Sequence, residues 1–166
     1  VADPPLDIVL DAADKAKQAG VDGVLGIGGG SPLDVAKLVA FLNGTTTQSI
    51  EDLWGVEMCR GARLPLIQVP TTAGTGSEVG RASIITETAV QTKRIVGHPA
   101  MLPGIVISDP NLTVGLPADL TAATGIDALV HCLEAYCAPV YHPQADGIAL
   151  EGMRLIHDYL PRAVAD

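Results

Sequence analysis

Asp127 and His131 stand four residues apart in Thr121-Ala122-Ala123-Thr124-Gly125-Ile126-Asp127-Ala128-Leu129-Val130-His131, a stretch that reads as helix. Residues at i and i+4 share a helical face, so a carboxylate and an imidazole can turn toward one ion. A hard oxygen donor beside a borderline nitrogen donor suits Fe2+, or alternatively Zn2+. Two ligands do not complete a site, and the same spacing serves a hydrogen-bonded or weakly ion-paired couple, which is the ordinary reading of the pair taken alone. Cys132 lies about 100° further round the helix and reads as core.

Two upstream turns carry a different chemistry. Gly28-Gly29-Gly30-Ser31-Pro32 succeeds the apolar run Val21 to Ile27 and opens a helical pattern in Leu33, Val35, Ala36, Leu38, Val39 and Ala40. Glycines there let backbone N–H groups approach diphosphate oxygens, with the positive end of the helix facing the charge. The alternative is an ordinary strand-to-helix turn. The motif is neither GxGxxG nor a Walker A loop, because Lys37 falls well inside the helix. The second turn, Pro70-Thr71-Thr72-Ala73-Gly74-Thr75-Gly76-Ser77-Glu78, ends the apolar run Leu64 to Val69 and bunches four hydroxyls. These suit phosphate, ribose and a nicotinamide amide, although capping of the local backbone would use them equally well. Together the turns and the helical pair point to a metal- and nicotinamide-dependent dehydrogenase. Asp34 and Lys37, three apart, read as a surface ion pair, with Asp34 alternatively orienting the Ser31 loop. Lys93 beside Arg94 is a solvated edge or a phosphate-facing cation. His98 and His142 have no evident partner, and His157 reads as a surface residue.

The elements that must position these groups emerge from periodicity. Leu6 to Gly20 is helical, with Gly20 at a C-cap position; Val21–Ile27, Leu64–Val69, Ala82–Thr86, Thr92–Gly97 and Gly104–Ser108 read as strands, and Asn43–Ala62 as irregular. From Pro117 the pattern changes to two long helices, Ala118–Tyr136 and Gln144–Val164. The expected fold class is α/β, a parallel-sheet, Rossmann-like dinucleotide-binding domain over residues 1–117 succeeded by the start of an all-helical, metal-binding domain over 118–166.

Composition agrees with that plan and excludes others. Hydrophobic residues make up 48% of the 166 residues and aromatics only 3%, so the core is built from aliphatic side chains, as in buried parallel strands covered by helices. The net charge of −9 comes without any basic cluster, which argues against nucleic acid as a partner. No stretch approaches the roughly 18 to 20 apolar residues that span a bilayer, so no membrane association is expected. Cys59, Cys132 and Cys137 lack zinc-type spacing and read as three free thiols in a reducing, cytoplasmic compartment.

In order along the chain, Gly28 to Lys37 resembles GGGSxxDxAK, Pro70 to Val79 resembles PTTAGTGSEV, and Asp109 through Tyr136 resembles DPxLTxxLP…TAATGxDALxHxxEAY, the motifs of the iron-containing (group III) alcohol dehydrogenases. The match runs from about Val21 to Tyr136. The resemblance implies NAD or NADP and a divalent metal as cofactors, a small alcohol or aldehyde as substrate, and a homodimer or higher homo-oligomer. It implies that Gly29, Gly30 and Ser31 hold the cofactor diphosphate, that Thr71, Thr72 and Thr75 line the nicotinamide side, and that Leu112 sits by the adenosine. Lys93 falls where the family has a lysine near the nicotinamide ribose, although Ile95 and His98 depart from the usual residues around it. Asp127 and His131 match the first two metal ligands. The family also has a strand-and-helix unit ahead of the first motif and two further metal-ligating histidines beyond the last, so the 166 residues read as a central fragment. The rival readings are a metal-free maleylacetate-type reductase, a lyase related to dehydroquinate synthase, and, if 166 residues are the whole molecule, a non-catalytic nucleotide-binding piece.

Overall fold

Helix α1 (Leu6–Ala19) buries Val9 and Ala13 and ends at Gly20, whose N–H reaches back to the carbonyls of Ala16 and Lys17. The structure, a computed structural model, describes residues 4–165. Its contacts divide the chain into two units: the first runs through Thr71 and resumes at Ser77–Asp109, and the second joins Thr72–Gly76 to the chain from Pro110 onward.

In the first unit, β1 (Val24–Gly28) leads through Gly29 into α2 (Gly30–Leu42), and β2 (Gly55–Val56) lies within the segment that reads as irregular. The pairing of β2 is two residues long, too short to leave a periodic trace. β3 (Leu66–Pro70), β4 (Ala82–Glu87), β5 (Thr92–Gly97) and β6 (Ile105–Val106) complete the strands. One sheet has the order β1-β3-β6, all parallel; Val24 faces Leu66 and Gly28 faces Pro70, so β1 and β3 end level. The second sheet has the order β2-β5-β4, with β4 and β5 antiparallel and β2 parallel to β5.

Helix α2 packs against β1 and β3 of one sheet and against β4 of the other. Its apolar residues run nearly all the way round, the pattern of a helix buried on every side, and Leu33 and the six residues Ala36 to Phe41 are buried. Ala36 and Ala40 meet Leu66, while Leu38 and Phe41 join Val9, Leu53, Ile85 and Val96 in the larger core cluster. Leu25 and Ile27 of β1 remain more than half exposed, at 58% and 55%, so α2 covers one face of the parallel sheet. The full cover expected from the composition is met on that face only within the described residues.

The second unit is helical. α3 (Ala118–Tyr136) has Pro117 as its N-cap residue, and α4 (Pro143–Ala165) packs along it. Leu160 of α4 lies over Gly125 and Cys132 of α3 over Gly152, so the helices approach where side chains are absent. No helix among the described residues is long and apolar enough to cross a membrane.

Candidate functional site

Both special turns leave the same edge of the parallel sheet. Because Gly28 and Pro70 are register partners at the carboxyl ends of β1 and β3, the turns begin side by side, and the Thr71 N–H donates to the Gly28 carbonyl at 2.9 Å. In open α/β sheets that edge is where ligands bind. Gly28 has φ 140°, and a Cβ there would stand 2.8 Å from Pro32 Cγ, so this position accepts glycine alone.

The N-terminus of α2 carries no cap from a side chain. Gly29 is the N-cap residue, and no acidic residue lies in the first turn of the helix. The leading N–H groups and the positive end of the helix dipole are the features that an anion would meet there. Gly29, Gly30 and Ser31, all half-buried, stand at this point.

The second turn is held at both ends. Thr71 fixes its entry, and at its exit Ser77 is buried with its Oγ donating to Asp34 Oδ1 and accepting from Lys37 Nζ at 3.0 Å. Of the four hydroxyls bunched in the sequence, Ser77 thus faces inward, and the ligand reading rests on Thr71, Thr72 and Thr75. In the second unit Gly74 lies against α3, where a Cβ would come 2.7 Å from the Thr124 carbonyl oxygen. The loop thus rests one helical turn from Asp127, on the helix that carries both Asp127 and His131.

Asp34 and Lys37 are not the surface pair that their spacing suggests. Lys37 is fully buried, and its ammonium donates to Asp34 Oδ1 at 3.1 Å, to Ser77 Oγ and to the Ala82 carbonyl at 2.6 Å. Asp34 Oδ2 accepts from the Ile84 N–H at 2.9 Å, and its carbonyl accepts from Ser83 Oγ. Burial lowers the Lys37 pKa, against the opposing pull of the Asp34 carboxylate. The cause is the enclosure of α2 by two sheets, which buries Lys37 and leaves Asp34 only slightly exposed. Gln68 adds a further tie, its Nε2 donating to the Leu33 carbonyl at 2.9 Å.

Asp127 and His131 present the opposite situation. His131 Nε2 and Asp127 Oδ2 are 3.7 Å apart, with side chains 60% and 47% exposed. Two bonds of about 2.1 Å meeting at a tetrahedral angle place their donors roughly 3.4 Å apart, so this spacing and donor chemistry fit a shared divalent ion. No group of three or more His, Cys, Asp or Glu side chains that could hold a metal occurs among the described residues. Lys93 is exposed on β5, opposite Thr86 in the second sheet, and Leu112 is exposed in the short 3₁₀ turn Pro110–Thr113. The three cysteines are free thiols.

Two histidines without an evident partner in the sequence act locally. His98 Nδ1 accepts from the Ala100 N–H at 3.0 Å and His142 Nδ1 from the Ala145 N–H at 3.3 Å. Each precedes a proline that opens a helical turn, and this His-Pro order is the signal that identifies them as caps. His157 is exposed.

The family model for iron-containing alcohol dehydrogenase matches residues 1–110, and that for the C-terminal part of the same family matches residues 121–166. The chain belongs to the iron-containing alcohol dehydrogenase family. It is 43% identical to a 4-hydroxybutyrate dehydrogenase of Cupriavidus necator, over 99% of this chain and 44% of that protein. It is 44% identical to a long-chain-alcohol dehydrogenase of Geobacillus thermodenitrificans, over 100% of this chain and 42% of that protein. Among solved structures, a sulfoacetaldehyde reductase from Bifidobacterium kashiwanohense in complex with NAD+ superposes with a TM-score of 0.90 at 34% identity, covering 100% of this chain and 44% of that one. The chain thus spans less than half the length of the iron-containing alcohol dehydrogenase relatives it matches.

Proposed function

We propose that the protein to which this chain belongs is a NAD(P)-dependent, metal-containing oxidoreductase that interconverts a small alcohol and its aldehyde. The observation that carries the reading is the open Asp127–His131 pair, which leaves two donors of suitable chemistry exposed on one helical face. In this reading the chain's residues act by placement. Gly29, Gly30 and Ser31 hold the dinucleotide diphosphate at the start of α2, where no side chain caps the backbone N–H groups. Thr71, Thr72 and Thr75 supply hydroxyls to the nicotinamide side, Lys93 a cation to the ribose, and Leu112 an apolar contact to the adenosine. Asp127 and His131 hold Fe2+, or alternatively Zn2+, which supplies Lewis-acid polarisation of the alcohol or carbonyl oxygen while the nicotinamide supplies the hydride acceptor or donor.

Support comes from relatives named for alcohol and hydroxybutyrate oxidation and from the NAD+ complex of the sulfoacetaldehyde reductase. The test is alcohol oxidation by the full-length protein with NAD+ or NADP+, before and after chelation and after adding back Fe2+ or Zn2+. Activity that disappears with the metal and returns with it is expected. Chelator-insensitive turnover at full rate would replace this reading with the metal-free reductase.

A further inference from the structure

We propose that Lys37, through Ser77 and with Asp34, is a positioning residue that sets the exit of the hydroxyl-rich turn on the helix whose N-terminus forms the glycine turn. The proposal rests on the dinucleotide reading for its functional consequence, and on three hydrogen bonds for its mechanics.

An ammonium has three N–H donors and no acceptor. All three on Lys37 are used, by acceptors from three separate parts of the first unit: Asp34 one helical turn earlier, Ser77 at the exit of the second turn, and the Ala82 carbonyl at the start of β4. A saturated, fully buried ammonium has no proton left for a substrate, so its role is geometric. Ser77 completes the link, since its hydroxyl accepts from Lys37 and donates to Asp34. The turn is therefore tied at Thr71 to Gly28 and at Ser77 to α2, and the residues between carry Thr72 and Thr75. Packing alone does not require such a group, because a buried ion pair replaced by apolar side chains of similar volume is often neutral or stabilising. What an apolar replacement loses is the fixed distance between the two turns.

Ser77→Ala and Ser83→Ala separate this role from a general structural one. Both remove a hydroxyl bonded to Asp34, but Ser77 ends the turn whereas Ser83 lies within β4. In the full-length protein, Ser77→Ala and Lys37→Met are expected to weaken NAD+ or NADP+ binding at least tenfold by titration, with metal content and alcohol KM unchanged. Ser83→Ala is expected to stay within twofold. Amide exchange of the nucleotide-free proteins is the second readout, with faster exchange expected across residues 72–78 in Ser77→Ala and Lys37→Met only. Equal affinities in all four proteins, or equal weakening in all three variants, overturns the proposal. If the unaltered protein binds neither dinucleotide, the dinucleotide reading fails separately, and exchange decides the clamp: acceleration across 72–78 supports it, and unchanged exchange overturns it.

Discussion

Asp34–Lys37 and Asp127–His131 are both pairs of a carboxylate and a basic side chain set within one turn of a helix, and they have opposite fates. The first is closed: Lys37 is 0% exposed and Asp34 13%, and their polar atoms are met by Ser77, Ala82 and Ile84. The second is open, half exposed, at a separation longer than a hydrogen bond. A closed pair has spent its bonding capacity on architecture. An open pair retains it, which is what the proposed metal role requires. The surroundings decide the difference, since α2 lies between two sheets whereas the Asp127 face of α3 is not covered by α4.

The comparison breaks most visibly in turnover. Asp127→Ala in the full-length protein removes a proposed ligand, and losing several kcal/mol of transition-state stabilisation should lower kcat by about 10³-fold or more. Metal content by elemental analysis should fall with it while NAD(P) binding survives. A mutant with unchanged metal content and activity would remove Asp127 from the site.

Stability should respond in the reverse order. Lys37→Ala leaves the Asp34 carboxylate without its buried partner, a loss of about 3–5 kcal/mol, whereas His131→Ala, deleting one side of an exposed couple, should cost about 0–1 kcal/mol. Denaturant unfolding of the full-length protein measures both, and comparable losses would show that exposure does not separate the two pairs. The double variant Asp34→Leu with Lys37→Met sharpens the point. Removing both charges also removes their desolvation, so it should recover at least about 1 kcal/mol relative to Lys37→Ala.

Much of this contrast is legible in the amino-acid sequence, though not in the spacing of the charges. Periodicity marks α3 as Ala118–Tyr136, as observed, because its apolar and polar positions alternate with helical period. The glycine and threonine turns are legible as abrupt breaks at the ends of two apolar runs, Val21 to Ile27 and Leu64 to Val69. The burial of Lys37 is not legible in the i, i+3 spacing, which surface pairs share. The one clue to it is Phe41, which falls between Lys37 and Asp34 in helical projection and makes the side of α2 that carries the pair apolar as well. The inward turn of Ser77 is not legible at all, because its partners are 40 and 43 residues away along the chain.

The smallest expected effect is a pH dependence peculiar to the closed pair. Burial holds the Lys37 ammonium below its ordinary pKa, so the folded state releases this proton at a lower pH than the unfolded state, whose lysine titrates near about 10.4. Between those two values the unfolded chain binds more protons at this position, and stability therefore rises with pH there. Below the folded value the protonated lysine carries its full desolvation cost; above about 10.4 neither state binds the proton and the gain is complete. Lys37→Met lacks the titration. The stability of the unaltered protein minus that of Lys37→Met should accordingly grow with pH through the alkaline window beneath about 10.4 and then level off. Unfolding curves for the two proteins at a series of alkaline pH values measure that difference. A difference that stays flat would mean that the attraction of Asp34 fully offsets the desolvation of Lys37.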